Sequence, residues 1–150
     1  HPESFDQVVS SDLQDKQPEK VARKQGKENK YPIGTTSSIA ANNHKFLLFA
    51  LSHTNIATCK AHADLATLVD SLHGLFDKAR DTTGGEPLIL PLVGSGISGV
   101  GLPATQLLQL IILTVISETK KKQICKQIDL VIHESRFEEI DLELIKRQWK

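Results

Sequence analysis

The sequence of 150 residues contains no methionine, only two cysteines, one tryptophan and one tyrosine, and its 18 basic and 18 acidic side chains cancel. Each shortage excludes something. Without net charge, the chain lacks the strongly basic character on which sequence-blind binders of nucleic acid or anionic membrane depend. Cys59 and Cys125 are too few and too far apart for a disulfide scaffold, which points to two reduced thiols and an intracellular compartment. The longest apolar run, residues 107–116 broken by Gln109, is about half of the ~20 residues that a membrane-spanning helix requires. It reads as a buried core helix. The missing methionine, with His1-Pro2-Glu3 at the start and no charged-then-apolar leader, leads to the expectation that a further N-terminal part precedes this one. The balance that remains, 39% apolar and 24% charged, suits one soluble domain around one core.

Charge locates that core. Residues 1–30 carry twelve charges, residues 31–117 nine, and residues 118–150 fifteen. The first thirty read as a solvated, partly mobile lead-in with an acidic beginning and a basic end, in which Pro18 and Glu19 open a short helix. Residues 31–150 form the domain. Tyr31 to Thr36 is a short strand that ends in the turn Gly34 to Ser38, and Lys45 to Ser52 is an apolar strand covered on both faces. Apolar residues at 65, 68, 69, 72, 75, 76 and 79 trace one amphipathic helix. Pro87 to Val93 is a third buried strand, whose Pro91 removes a ladder donor and suggests a bulge or an edge contact. A glycine loop follows, then a nearly all-apolar helix from Pro103 to about Thr119. Ile128 to His133 is a fourth strand, and Ser135 with Glu138 caps a last helix carrying Phe137, Ile140, Leu144 and Trp149. This order is that of an α/β fold with helices on both faces of a sheet.

One segment carries the chemistry. Gly94, Ser95, Gly96, Ile97, Ser98, Gly99, Val100 and Gly101 place four glycines in eight residues between a buried strand and a buried helix. Glycine permits positive φ and removes Cβ atoms, so that successive main-chain N–H groups can converge on an anion. Pro103, read as the first helical residue, aims the positive end of the helix dipole at the loop. A diphosphate is the natural occupant, and a tight connection that needed glycine for packing is the plain alternative. The dinucleotide fingerprint Gly-x-Gly-x-x-Gly also matches, but Val100 to Pro103 separates it from the helix, and the next strand's acid, Glu134, comes about twice too late. Between residues 31 and 117 the only lysines and arginines are Lys45, Lys60, Lys78 and Arg80. A phosphate held there is held mainly by amides.

Residues 31–36 (Tyr-Pro-Ile-Gly-Thr-Thr), 46–53, 91–99 and 128–133 resemble a macro domain, and in particular the macro domains of Thoeris-type anti-phage defence effectors. The resemblance covers about residues 31–149 and is most specific at the glycine loop. It implies a three-layer α/β/α fold with a mixed sheet and helices on both faces. It also implies binding of ADP-ribose or a cyclic or conjugated derivative, with no further cofactor, as a signal made by a TIR-domain protein in antiviral defence. On this resemblance Gly94 to Gly101 is the diphosphate loop, Thr35 and Thr36 line the pocket, and Ser4, Phe5 and Asp6 cradle the distal ribose. Pro2 stands where that ribose loop usually has asparagine, the glycine run of hydrolytic macro domains is absent, and the strand that supplies an adenine-contacting acid falls before residue 1. The resemblance further implies a cytoplasmic domain regulating an attached effector, tethered to a membrane by a part outside this segment, with no nucleic acid partner and homo-oligomerisation left open. An ADP-ribosyl hydrolase using Asp6, or a nicotinamide-dinucleotide oxidoreductase, are the alternatives.

The remaining signals are weaker. Cys59 and His62 have the spacing of half a zinc site, but no second close pair completes four ligands, so no metal is expected. Ser95 and Ser98 lack the register of a nucleophile elbow and fit hydrogen bonding to phosphate. His133 beside Glu134 reads as a structural strand-end histidine, and Lys120 to Lys122 complement the dipole at the end of the long helix.

Overall fold

The computed structural model describes residues 4–23, 26–96 and 99–149. Its elements in chain order are α1 (Phe5–Asp12), β1 (Glu19–Lys20), β2 (Asn29–Lys30), β3 (Thr36–Ala41), β4 (His44–Phe49), β5 (His53–Thr54), β6 (Ala61–His62), α2 (Leu65–Thr82), β7 (Leu88–Pro91), α3 (Ala104–Lys121), β8 (Ile128–Val131), α4 (Glu134–Phe137) and α5 (Leu142–Gln148). The strands pair two by two: β1 with β2, β3 with β4 and β5 with β6 antiparallel, and β7 with β8 parallel. No helix among the described residues is long and apolar enough to cross a membrane.

The core forms where the two long helices meet the strands. Asp64 caps α2 by accepting from the Thr67 amide at 2.7 Å, and the apolar stripe of that helix buries Leu68, Leu72, Leu75, Phe76 and Ala79. Against it lie Leu107, Leu108 and Ile111 of α3, with Leu90 and Leu92 at β7 and Ile140 ahead of α5. Leu113 of α3 is half exposed, so that helix is buried on one side and not all round. Its far end is clasped electrostatically. Arg80 donates to the Glu118 carboxylate at 3.0 Å and to the Glu118 and Lys122 carbonyls, while Lys121 reaches the other oxygen of Glu118.

Strand direction follows from α2. Lys45, at the start of β4, donates to the Thr82 carbonyl at the end of α2. Ala50, just after β4, is bonded to Gly34 and Thr35, and Gly34 rests on Asp70 and Gly74, roughly one and a half to two and a half turns from the beginning of that helix. At the end of β7, Gly94 packs against Leu68. Both β4 and β7 therefore run opposite to α2 and parallel to each other, with their carboxyl ends at one edge. Leu47, Phe49, Leu88, Leu90, Ile128 and Leu130 face the α2–α3 core. Strand alternation sends Phe46, Leu48, Ile89 and Val131 to the other face, where they are 36–69% exposed. The expectation that β4 and β7 are covered on both faces is thus corrected: the described helices α2 and α3 cover one.

Other local expectations change too. The strand expected over Tyr31 to Thr36 begins where that range ends, because Asn42 and Asn43, both at positive φ, form the two-residue hairpin turn that brings β3 onto β4. Pro18 and Glu19 start no helix; Glu19 pairs with Lys30 across β1–β2. The helix of this region is α1, with a reciprocal Ser4–Gln7 capping box. It packs on β3, and Asp12 at its end accepts from the Ser38 amide and pairs with Lys78 of α2. Leu13 and Val21 are buried. The single C-terminal helix is two, because Asp141 caps α5 through the Leu144 amide and Ile140 turns into the core between them. Trp149 closes α5, half-buried, its indole N–H without a hydrogen-bond acceptor among the described residues.

Candidate functional site

The carboxyl edge of β4, β7 and β8 is where an open α/β arrangement binds ligands, and the glycine loop leaves β7 there. Gly94 is buried at φ +85°, and a Cβ on it would lie 3.0 Å from Val100 Cγ2 and 3.4 Å from Leu107 Cδ1. Glycine is required at this point. The loop returns on itself as the Val100 amide donates to the Gly94 carbonyl at 3.1 Å, and a Cβ on Gly99 would meet the Gly96 carbonyl oxygen at 2.9 Å. Gly96 is different: it is exposed and a Cβ there would meet nothing within 4 Å among the described residues. Its open side is therefore the side a ligand can approach. Ile97 and Ser98, assigned to the same loop, lie outside the described residues, as do Pro2 and Glu3.

Next to the loop stands the beginning of α3. Helix formation starts at Ala104, one residue later than expected, with Pro103 as the N-cap and, among the described residues, no side-chain acceptor on the first amides. The first turn of a helix leaves its N–H groups without intrahelical partners; here no cap competes with an anion for them. Ser95 has a structural task, its hydroxyl donating to the Leu92 carbonyl at 2.7 Å. The expected serine-to-phosphate donation therefore has to compete with that bond.

Sequence reasoning missed Arg136. Its guanidinium donates to the Ser95 carbonyl at 3.1 Å and to Glu139 at 3.0 Å, and it is the one charged side chain hydrogen-bonded to the loop among the described residues. Arg136 lies outside the cation-poor range 31–117, on α4 directly after β8. His133 positions that helix, its Nδ1 accepting from the Ser135 amide at 3.2 Å, which is the structural role expected for it. Thr105 of α3 donates to the Glu139 carbonyl and accepts from the Asp141 amide, so the α4–α5 connection is fastened beside the same helix start.

The other assigned residues sit differently. Thr36 is buried and its hydroxyl donates to the Gly34 carbonyl at 2.9 Å, while Thr35 is half-buried with its carbonyl accepting from Ala50. Their turn rests on the same helix as Gly94, but no hydrogen bond among the described residues joins it to the loop. Ser4, Phe5 and Asp6 form the cap and first turn of α1, not a loop, because the capping box draws them into the helix. Asp6 is paired with Lys27, and no hydrogen bond or ion pair among the described residues links these three to the glycine loop. His53 and His62 face each other across β5–β6 with ring centroids 5.8 Å apart; among the described residues no group of three or more His, Cys, Asp or Glu side chains converges on a metal position.

The family model described as Thoeris protein ThsA, macro domain, matches residues 1–133. The chain belongs to the Thoeris ThsA macro-domain family. Its mixed α/β architecture is that of a macro domain, and the match takes in the first thirty residues as well as the glycine loop. No curated protein matches the chain.

Proposed function

We propose that this macro domain binds an ADP-ribose-derived nucleotide signal through its glycine loop, and that occupancy regulates an attached effector in anti-phage defence. One observation carries the reading. A loop that cannot tolerate side chains at Gly94 and Gly99 joins β7 to an uncapped helix start, which is an arrangement of main-chain donors suited to a diphosphate. Arg136, the one cation hydrogen-bonded to the loop among the described residues, adds charge without lining the site with lysine. Family membership supplies the nucleotide: macro domains take ADP-ribose and its relatives, and in Thoeris systems a TIR-domain protein is the source. The ligand-binding set is Gly94, Ser95, Gly96, Gly99, Val100 and Gly101, with Arg136 added. Asp6, on which a hydrolytic reading would draw, is held by Lys27 in the first turn of α1, and no observation favours turnover.

Loop movement is the proposed switch. A ligand shifts an equilibrium only by its differential affinity for the two states, and here the diphosphate would compete with the Ser95 carbonyl for Arg136. Titration calorimetry with ADP-ribose and with its cyclic and conjugated derivatives tests the reading. Gly96→Val is the decisive variant, because its position has room for a side chain and the fold stays intact while the approach to the amides is filled. The expected result is binding by the unaltered chain and none by the variant; equal binding by both removes the site from the loop.

A further inference from the structure

The β5–β6 hairpin follows β4 at its carboxyl edge and hands the chain to α2. Its loop is held by local bonds. The Asn55 amide donates to the Lys60 carbonyl at 2.9 Å and the Cys59 amide to the Asn55 carbonyl at 2.8 Å, while Asn55 Oδ1 accepts from the Ala57 and Thr58 amides at 3.0 and 2.9 Å. These bonds fix the register in which His53 stands directly opposite His62. Side chains opposite each other in an antiparallel pair share one face, and the two exposed rings lie with centroids 5.8 Å apart and planes tilted by 41°. Other histidines are engaged: among the described residues His133 accepts from the Ser135 amide and His73 turns Nε2 to Glu118, whereas the nitrogens of His53 and His62 have no such partner. Asp64 comes next. Ala63 is buried and Asp64 is extended, at φ −108° and ψ −177°, so alternation returns Asp64 to the outward side that His62 occupies. Its Oδ1 takes the Thr67 amide and hydroxyl at 2.7 and 2.6 Å, and Oδ2 takes neither. The Thr67 bonds, with the charge of His53 adding to them, hold this carboxyl below its ordinary value of 3.8.

We propose that His53 and His62 chelate one zinc-class divalent cation, with solvent completing its coordination and the Asp64 carboxylate supplying opposite charge beside it. The spacing fits. Zinc lies about 2 Å from an imidazole nitrogen, which sets the centres of two rings bound at the tetrahedral angle roughly 5 Å apart. Small side-chain rotations close the observed 5.8 Å to that value. Imidazole suits zinc, copper and nickel, whereas magnesium and calcium take oxygen ligands. Two rings on one ordered hairpin also act as a chelate: once the first nitrogen binds, the second is held beside the ion, and affinity rises above that of a lone surface histidine. A carboxylate with a free oxygen next to the site can accept a hydrogen bond from metal-bound water, and Asp64 Oδ2 is placed for that. The spacing in sequence pairs His62 with Cys59, and no second close pair completes that set. The fold instead gives His62 a partner across the hairpin, and Cys59 sits in the loop at φ +55°. Leu68, near the start of α2, packs against Gly94, so a bound ion braces the hairpin on the side of the molecule that carries the glycine loop.

Zinc chloride titrated into the 150-residue chain, followed by calorimetry and by the imidazole ring-proton resonances in NMR, tests this. The tightest site should take one ion per chain. The His53 and His62 resonances should shift together, and those of His44, His73 and His133 should move only at higher zinc. His53→Ala or His62→Ala alone should weaken the site about a hundredfold and leave the circular dichroism unchanged, because both positions are exposed. Cys59→Ser should bind as the parent does, and magnesium chloride should shift neither ring. The proposal is overturned if His53 and His62 respond to zinc no sooner than the other three histidines, if either alanine variant keeps the parent affinity, or if Cys59→Ser abolishes binding.

Discussion

Gly74→Ala sets two forces against each other, and the geometry says which wins. Gly74 lies in the interior of α2, where alanine is intrinsically favoured by about 1 kcal/mol. The added methyl, however, would sit 2.1 Å from the Gly34 carbonyl oxygen and 2.6 Å from its carbon. Ordinary carbon–oxygen contacts begin near 3.3 Å, so the turn must retreat by about 1 Å. It is not free to do so. The Gly34 amide donates to Ala50 at 2.9 Å and the Gly34 carbonyl accepts from Thr36 at 2.9 Å, each bond contributing about 1 kcal/mol net. Overpacking of this kind costs about 1–3 kcal/mol. With one or both bonds strained, and the propensity gain subtracted, the variant should be destabilised by roughly 2–3 kcal/mol. Urea unfolding followed by far-ultraviolet circular dichroism measures this, and the melting temperature should fall by roughly 4–12 °C for a chain of this size. Gly96→Ala is the control: none of the described residues lies within 4 Å of its Cβ, and its stability should stay within about 0.5 kcal/mol of the parent. A Gly74→Ala chain as stable as the parent, or more so, would falsify the seating of the residue 34–36 turn on α2.

Two further outcomes follow from charged residues. Lys121, hydrogen-bonded to Glu118, and Arg80 after it hold that carboxyl below its ordinary value of 4.5 against the opposing effect of burial. Because the folded-state pKa is depressed, the stabilisation is present above about pH 4.5 and is lost as pH falls through the lower folded value. Glu118→Gln should cost about 2 kcal/mol at neutral pH, because Arg80 then keeps only the exposed Asp77 as its counter-charge, and its acid unfolding limb should be flatter than that of the parent; parallel limbs would rule out this clasp as a source of the pH dependence. Arg136→Ala should weaken ADP-ribose about tenfold, the ~1.4 kcal/mol expected of one charge-assisted contact, and reduce the dependence of binding on salt. Unchanged affinity and salt response in a variant that binds would remove Arg136 from the site.

The parts of the fold legible in the sequence are those whose signal is local and apolar. The stripe from Leu65 to Ala79 was readable because α2 is buried along one face, and the glycines of residues 94–101 were readable because a buried close approach such as that at Gly94 leaves a trace in composition. β3 was not. Its Thr-Ser-Ser-Ile-Ala-Ala is a strand by virtue of pairing with β4, and the signal that announces it is the Asn42-Asn43 turn, where a side-chain amide makes positive φ tolerable. The exposed Phe46, Leu48 and Ile89 look like core in sequence, since hydrophobicity does not record whether a covering layer is among the residues at hand. Arg136 was hidden for a topological reason: it reaches the loop only because β8 runs parallel to β7 and delivers α4 to the same edge.

The position of the chain's single tryptophan has an optical consequence. Trp149 ends the helix whose Gln148 is hydrogen-bonded to Gln109 of α3, and that helix continues from the segment in which Arg136 is fastened to Ser95. With one such fluorophore, emission from the whole molecule reports this one junction, and no label has to be introduced. Release of Arg136 from the loop, with any shift of α5 that accompanies it, would register as a change in wavelength or quenching on the timescale of mixing.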